Sequence, residues 1–162
     1  MARDKLEKTN ALRLLDRMKI PYEARSYPCQ DFTDGEDVAR QLGLDPSQVC
    51  KTLVTVGKSG GHYVFVLPVD RELDRKKAAA VVGEKSLEML HVKDLLAVTG
   101  YVRGGCTALG MKKQFPTVVD QSVGGLSAVY VSGGRRGLQL KLAPGDLVRA
   151  ANAMWGDVIV KD

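Results

Sequence analysis

The chain has 162 residues, 44% of them hydrophobic, with a formal net charge of +5 and a pI of about 9.2. That size and apolar share suit one domain with a sizeable core over residues 1–162, and the mild basic excess favours anionic partners such as RNA or phosphates without resembling a histone. Three cysteines with no CxxC pair argue against a disulfide framework or zinc ribbon, and no apolar run approaches the ~18 residues of a membrane span, so a cytoplasmic protein is expected.

Thr9–Met18 places Leu12, Leu15 and Met18 at helical spacing, and Pro21 ends that helix. An extended piece containing Pro28 leads to a second predicted helix, Gly35–Leu42, stopped by Gly43. Asp45-Pro46-Ser47 carries turn or short-helix chemistry ahead of a strand at Val49–Val56. Ser59-Gly60-Gly61 forms a hairpin loop to a return strand at His62–Val69. Asp70 or Asp74 can cap a helix running through Val82, and Val92–Val98 predicts another. Short strands follow at Tyr101–Arg103, Thr117–Asp120, Ala128–Ser132 and Leu138–Leu142. A helix spans Asp146–Met154, and Val158–Val160 can add a final strand. These elements predict an α/β (α+β) domain with a mixed, mostly antiparallel, barrel-like sheet flanked by helices; the regular βαβ alternation of a doubly wound fold is absent.

The segment Gly100–Gly110 holds four glycines and is followed by Met111, Lys112 and Lys113. Such a loop can turn tightly and bring backbone N–H groups to a ligand. Gly105 and Gly110 have the spacing of a phosphate-binding P-loop, but Met111 stands where the lysine is required and a lysine where the hydroxyl is. His62 and His91 sit in no telling context. The scattered histidines and cysteines suggest no metal set. Cys106 reads either as a thiolate favoured by loop N–H groups or, with more weight, as a small half-buried residue filling a turn. Lys51 interrupts an otherwise apolar strand. It lies on a wetted face, or it projects an ammonium from rigid backbone toward a carbonyl or phosphate oxygen.

Val49-Cys50-Lys51-Thr52-Leu53-Val54, GYVRGGCTALGMKK, FPTVVD at Phe115–Asp120 and YVSGGRRGLQL at Tyr130–Leu140 occur in that order. With them the chain resembles the YbaK/EbsC family of aminoacyl-tRNA deacylases, in particular the free-standing Cys-tRNA(Pro) deacylase type, over nearly its whole length. The resemblance implies an enzyme without cofactor or metal that removes cysteine from misacylated tRNA(Pro), with prolyl-tRNA synthetase as a further partner and no membrane or DNA role. A pocket discriminates weakly between ligands of close size, which is why such editing is needed. By the same resemblance Lys51 engages the substrate near its ester, the backbone of Gly104 faces it, and Ser132 and Tyr27 complete the catalytic set. Gly105, Gly133 and Gln139 are the candidates on the substrate-binding side. Phe32 is a further candidate there that the family pattern does not itself supply, because the segment Pro28–Gly35 differs in length. Lys112, Lys113, Arg135 and Arg136 are the candidate tRNA contacts. The substrate's own thiol attacks its carbonyl, and the protein supplies positioning and oxyanion stabilisation.

Three departures from the family pattern bear on specificity. Gln139 stands where the bacterial type member has aspartate, Thr107-Ala108 replaces a common Ser-Pro, and Pro28–Gly35 differs in length. Alanine or another small residue is therefore an alternative to cysteine. A non-catalytic tRNA- or synthetase-binding module of the same fold is the alternative to an enzyme.

Overall fold

The computed structural model describes residues 8–28 and 34–161. Helix α1 (Asn10–Met18) begins at Thr9, whose hydroxyl accepts the Leu12 N–H at 3.2 Å, and it buries Ala11, Leu12 and Leu15. Strand β1 (Glu23–Ser26) follows. Helix α2 (Gly35–Leu42) is capped by Asp34, buries Val38 and Ala39, and ends on Gly43 at φ +68°. A 3-10 turn at Pro46–Gln48 precedes β2 (Cys50–Gly57), which pairs antiparallel with β3 (His62–Pro68) from Cys50 opposite Pro68 to Val56 opposite His62. Asp74 rather than Asp70 caps α3 (Arg75–Val82), accepting from the backbone N–H groups of Lys76 and Lys77. Then come β4 (Leu87–Met89), α4 (Val92–Thr99), β5 (Thr117–Asp120), β6 (Val129–Ser132), β7 (Leu138–Leu142), α5 (Pro144–Ala151) and β8 (Met154–Gly156).

The architecture is a mixed α/β domain, as its element pattern implies, with the strands divided between two sheets rather than gathered into one. The first, of three strands, has the order β1-β7-β6 and is antiparallel throughout. The second, of five, has the order β4-β2-β3-β5-β8, with β5 parallel to both its neighbours. A parallel bridge between Val49 and Tyr130 joins the sheets where β2 begins. Strand β3 is buried on both faces. Val64 and Val66 enter the main core with Leu12, Leu15, Leu140 and Leu147, while Phe65 and Leu67 enter a second core under α3. Period-two alternation on a strand covered on both sides produces this continuous apolar run. None of the described helices is long and apolar enough to cross a membrane.

Three local readings are corrected, and one short strand was not anticipated. Tyr101–Arg103 is not a strand: the Tyr101 hydroxyl donates to the carbonyl oxygens of Leu109 at 2.6 Å and Gly110 at 3.3 Å, so the segment folds across its own loop. The last helix stops at Ala151, where Asn152 takes φ +53°, and Met154–Gly156 is strand instead. Val158–Val160 is reduced to a single bridge between Ile159 and Leu73. Strand β4 is three residues long, too short for a periodicity signal.

The glycine-rich loop is closed at its base by the Lys112 N–H donating to the Thr99 carbonyl at 2.8 Å. Gly110, at φ +71°, lies so close to α1 that a Cβ there would stand 2.8 Å from the Asn10 carbonyl carbon and oxygen. Gly43 has a similar φ of +68° but nothing within 4 Å of such a Cβ. Alanine at Gly43 is expected to cost only the left-handed backbone strain, about 1 kcal/mol, and at Gly110 about 3 kcal/mol once the backbone clash is added. Urea unfolding of the two variants measures the difference, and equal losses would refute the packing role of Gly110.

Candidate functional site

Where the two sheets meet, the protein encloses a cavity of about 260 Å³. Tyr27, Lys51, Gly104, Ser132 and Gln139 all line it, although they come from five separate stretches of chain. Apolar cover is supplied by Val38, Val49, Leu53 and Val69. The volume suits a small aminoacyl group rather than a nucleotide.

Strand alternation on β2 turns Cys50 into the main core and leaves Lys51, one residue on, half-buried at the cavity. Burial is the largest influence on the Lys51 ammonium and lowers its pKa below the ordinary lysine value. Glu36, Glu72, Asp70 and Asp34, in that order, oppose the shift through their charge. Helix α2 can form the adjacent wall because residue 35 is glycine: a Cβ there would sit 2.2 Å from Val69 Cγ1.

Ser132 and Gln139 face each other across β6 and β7, and Gln139 pairs in turn with Arg25 of β1. The Ser132 hydroxyl oxygen accepts the Gly134 N–H at 3.2 Å, which holds the turn that follows. Gln139 is 5% exposed, and its Oε1 has no hydrogen-bond partner. A buried, unpartnered carbonyl oxygen beside a cavity is a costly arrangement that a ligand donor would relieve.

Gly104 has φ +88°, a backbone conformation that favours glycine, and presents main chain to the cavity. Gly105 and Gly133 do not line the cavity; they permit close packing. A Cβ on Gly105 would lie 2.7 Å from the Arg135 Cα, and one on Gly133 would lie 2.6 Å from Leu138 Cγ. Burial pushes the thiols of Cys106 and Cys50 up to about 12, so neither is a ready thiolate although both border the cavity.

The four candidate tRNA cations divide into two groups. Arg135 and Arg136 lie in the turn beside the Gly104 loop, where Arg136 Nε donates to the Arg103 carbonyl at 2.7 Å. Lys112 Nζ instead donates to the Ala97 carbonyl at 2.9 Å, and Lys113 Nζ stands 5.9 Å from the centre of the Phe115 ring, bordering a separate surface hollow with His62. Phe32 lies outside the described residues. Asp34, Gly35, Thr52 and Arg103 also line the cavity and escaped the residue pattern. Thr52 follows Lys51 directly, and Arg103 precedes Gly104, so proximity to those residues was the available signal. Among the described residues, no group of His, Cys, Asp and Glu side chains converges as metal ligands would.

The family described as the aminoacyl-tRNA editing domain matches residues 30–150. A protein of Enterococcus faecalis, EbsC, designated a candidate Cys-tRNA(Pro)/Cys-tRNA(Cys) deacylase, is 44% identical over 100% of both chains. The proline-tRNA ligase of Pelobacter propionicus is 29% identical over 62% of this chain, a match spanning 18% of the ligase. Among solved structures, that of a candidate trans-editing enzyme for prolyl-tRNA synthetase superposes with a TM-score of 0.81 at 23% identity, covering 96% of this chain and 100% of that one.

The orphaned Gln139 oxygen predicts a trade between stability and ligand binding. Gln139→Met, which keeps the length and removes the unpaired acceptor, is expected to leave the protein as stable or up to about 1 kcal/mol more stable. Chemical denaturation checks this, and a loss of 2 kcal/mol or more would mean that the amide is satisfied in the folded protein.

Proposed function

The chain belongs to the aminoacyl-tRNA editing domain family, and from that membership we propose that this aminoacyl-tRNA deacylase acts in trans on Cys-tRNA(Pro), with residues 1–162 working as one editing domain. The observation that carries the reading is the gathering of Lys51, Tyr27, Gly104, Ser132 and Gln139 around one small cavity. The 44% identity to EbsC over the full length supports cysteine as the amino acid removed. The match to part of a proline-tRNA ligase supports a tie to proline charging and to the synthetase as partner.

In the proposed reaction the cysteinyl sulfur of the substrate attacks its own ester carbonyl. A C–S bond forms, the ester C–O bond breaks, and the thiol proton ends on the departing ribose oxygen. The products are free tRNA and a cyclic thiolactone that water then opens. Lys51 places a positive charge beside the carbonyl oxygen as negative charge develops there, and the Gly104 backbone borders the same space. Gln139 Oε1 accepts a hydrogen bond from the substrate amino group. The Cys50 and Cys106 thiols that border the cavity are held in the protonated form by burial, which supports a reaction assisted by the substrate's sulfur. Because Gln139 is uncharged where an aspartate would add attraction, Ala-tRNA(Pro) is the alternative substrate to be tested alongside. It carries no thiol, so its deacylation would require attack of water on the ester carbonyl instead.

Purified protein is expected to deacylate Cys-tRNA(Pro) in a panel of misacylated tRNAs. Lys51→Ala should fold normally and lose the activity by at least about a hundredfold, while Cys106→Ala keeps most of it. Equal inertness of wild type and Lys51→Ala would favour a binding module, and full loss in Cys106→Ala would point to an enzyme nucleophile. The pH profile tests Lys51 independently. Its pKa is lowered, so the ammonium is lost as pH rises through a value below that of ordinary lysine. The enzyme-dependent rate should therefore fall on the alkaline side, and Lys51→Arg should move that fall to higher pH.

A further inference from the structure

The cavity is bordered by two loop clusters of opposite charge. Asp34 and Glu36, around the start of α2, and Asp70 and Glu72, after β3, act on Lys51 through their charge, and Gly35 packs against Val69 where these segments meet. Arg103, which lines the cavity, belongs to the loop whose Gly105 packs against the turn between β6 and β7 that carries Arg136.

The arginine side is built, not merely populated. Arg136 Nε donates to the Arg103 backbone carbonyl at 2.7 Å, and the Gly105 N–H donates to the Val102 carbonyl at 2.9 Å. The main chain of Arg135 and Arg136 packs on Gly105 closely enough to exclude a Cβ. Arg103 is exposed, and its backbone is anchored from both sides where the residue lines the cavity.

A field of this kind favours a ligand with a cationic end toward the carboxylates and an anionic end toward the arginines. An aminoacyl-tRNA terminus has that polarity. The amino group lies on one side of the ester, and the nearest phosphate lies on the other, one ribose away. Resting on the deacylase reading above, we propose that Arg103 binds the phosphate joining the last two nucleotides of the acceptor strand, with Arg136 as its positioning residue. A guanidinium suits this task because its planar fork meets two phosphate oxygens at once.

The test compares two cysteinyl esters: Cys-tRNA(Pro), and cysteinyl-adenosine, which has the same ester and base but no phosphate. For Arg103→Ala the KM penalty on the tRNA should exceed the penalty on cysteinyl-adenosine about tenfold or more. The salt dependence of tRNA binding should also flatten by about one phosphate contact. Arg103→Lys should recover part of the tRNA-specific loss, and Arg136→Gln should produce a smaller loss of the same kind. Equal penalties on the two substrates, or none on either, overturn the phosphate role while the deacylase reading stands. Wild-type protein inert toward both substrates overturns the deacylase reading and this proposal with it.

Discussion

Close approach of main chain to main chain holds the site together. The Thr9 hydroxyl donates to the Gly133 carbonyl at 2.6 Å while accepting from the first turn of α1. The backbones of Gly110 and Gly105 lie against those of Asn10 and Arg135, and Gly134 lies against the Thr9 side chain, each at a distance that a Cβ would forbid. One helix start, one glycine-rich loop and one β-turn thus converge at a joint with no room for Cβ atoms. Close packing of this sort has little tolerance for added volume, so the glycines that look like loop flexibility in fact impose rigidity. The Tyr101 hydroxyl, bonded to carbonyls across the loop, reinforces the same joint from inside.

Two features of the cavity cost folding free energy, and the proposed function gives both of them a use. Lys51 keeps a half-buried ammonium whose charged form burial disfavours, and Gln139 keeps a carbonyl oxygen buried without a partner. Elsewhere buried polar groups are well provided for: Asp120 accepts from the N–H groups of Ser122 and Val158, and Thr117 donates to the Phe115 carbonyl. The contrast is local. A fold that satisfies polar groups in its interior leaves them exposed to need at one cavity, which is the usual signature of stability exchanged for a site.

How far the sequence discloses this arrangement depends on the range of the forces involved. Helix ends and long apolar strands were legible because their signals are local: Gly43 closing Gly35–Leu42, or the continuous apolar run from Val64 to Leu67. The Tyr101–Arg103 segment misled because an apolar, β-prone triplet is folded by a hydroxyl bond eight residues away. Strand β8 was hidden because its three residues are defined by pairing with β5, not by their own pattern. Family motifs pointed to residues that the fold brings to the cavity, yet Lys112 and Lys113, neighbours in the same motif, face elsewhere. Arg103 went unnoticed because nothing in a run of GYVRGG distinguishes a rim guanidinium from a solvated one.

The division of the strands into two sheets has a consequence for what occupancy would do to the molecule. Tyr27, Ser132 and Gln139 belong to the three-stranded side, Lys51 and Thr52 to the five-stranded side, and between Val49 and Tyr130 runs a single backbone bridge. A ligand touching both walls would act as a rivet across that seam. Part of its binding free energy would appear as cohesion between sheets, so the occupied protein would breathe less along this line than the empty one.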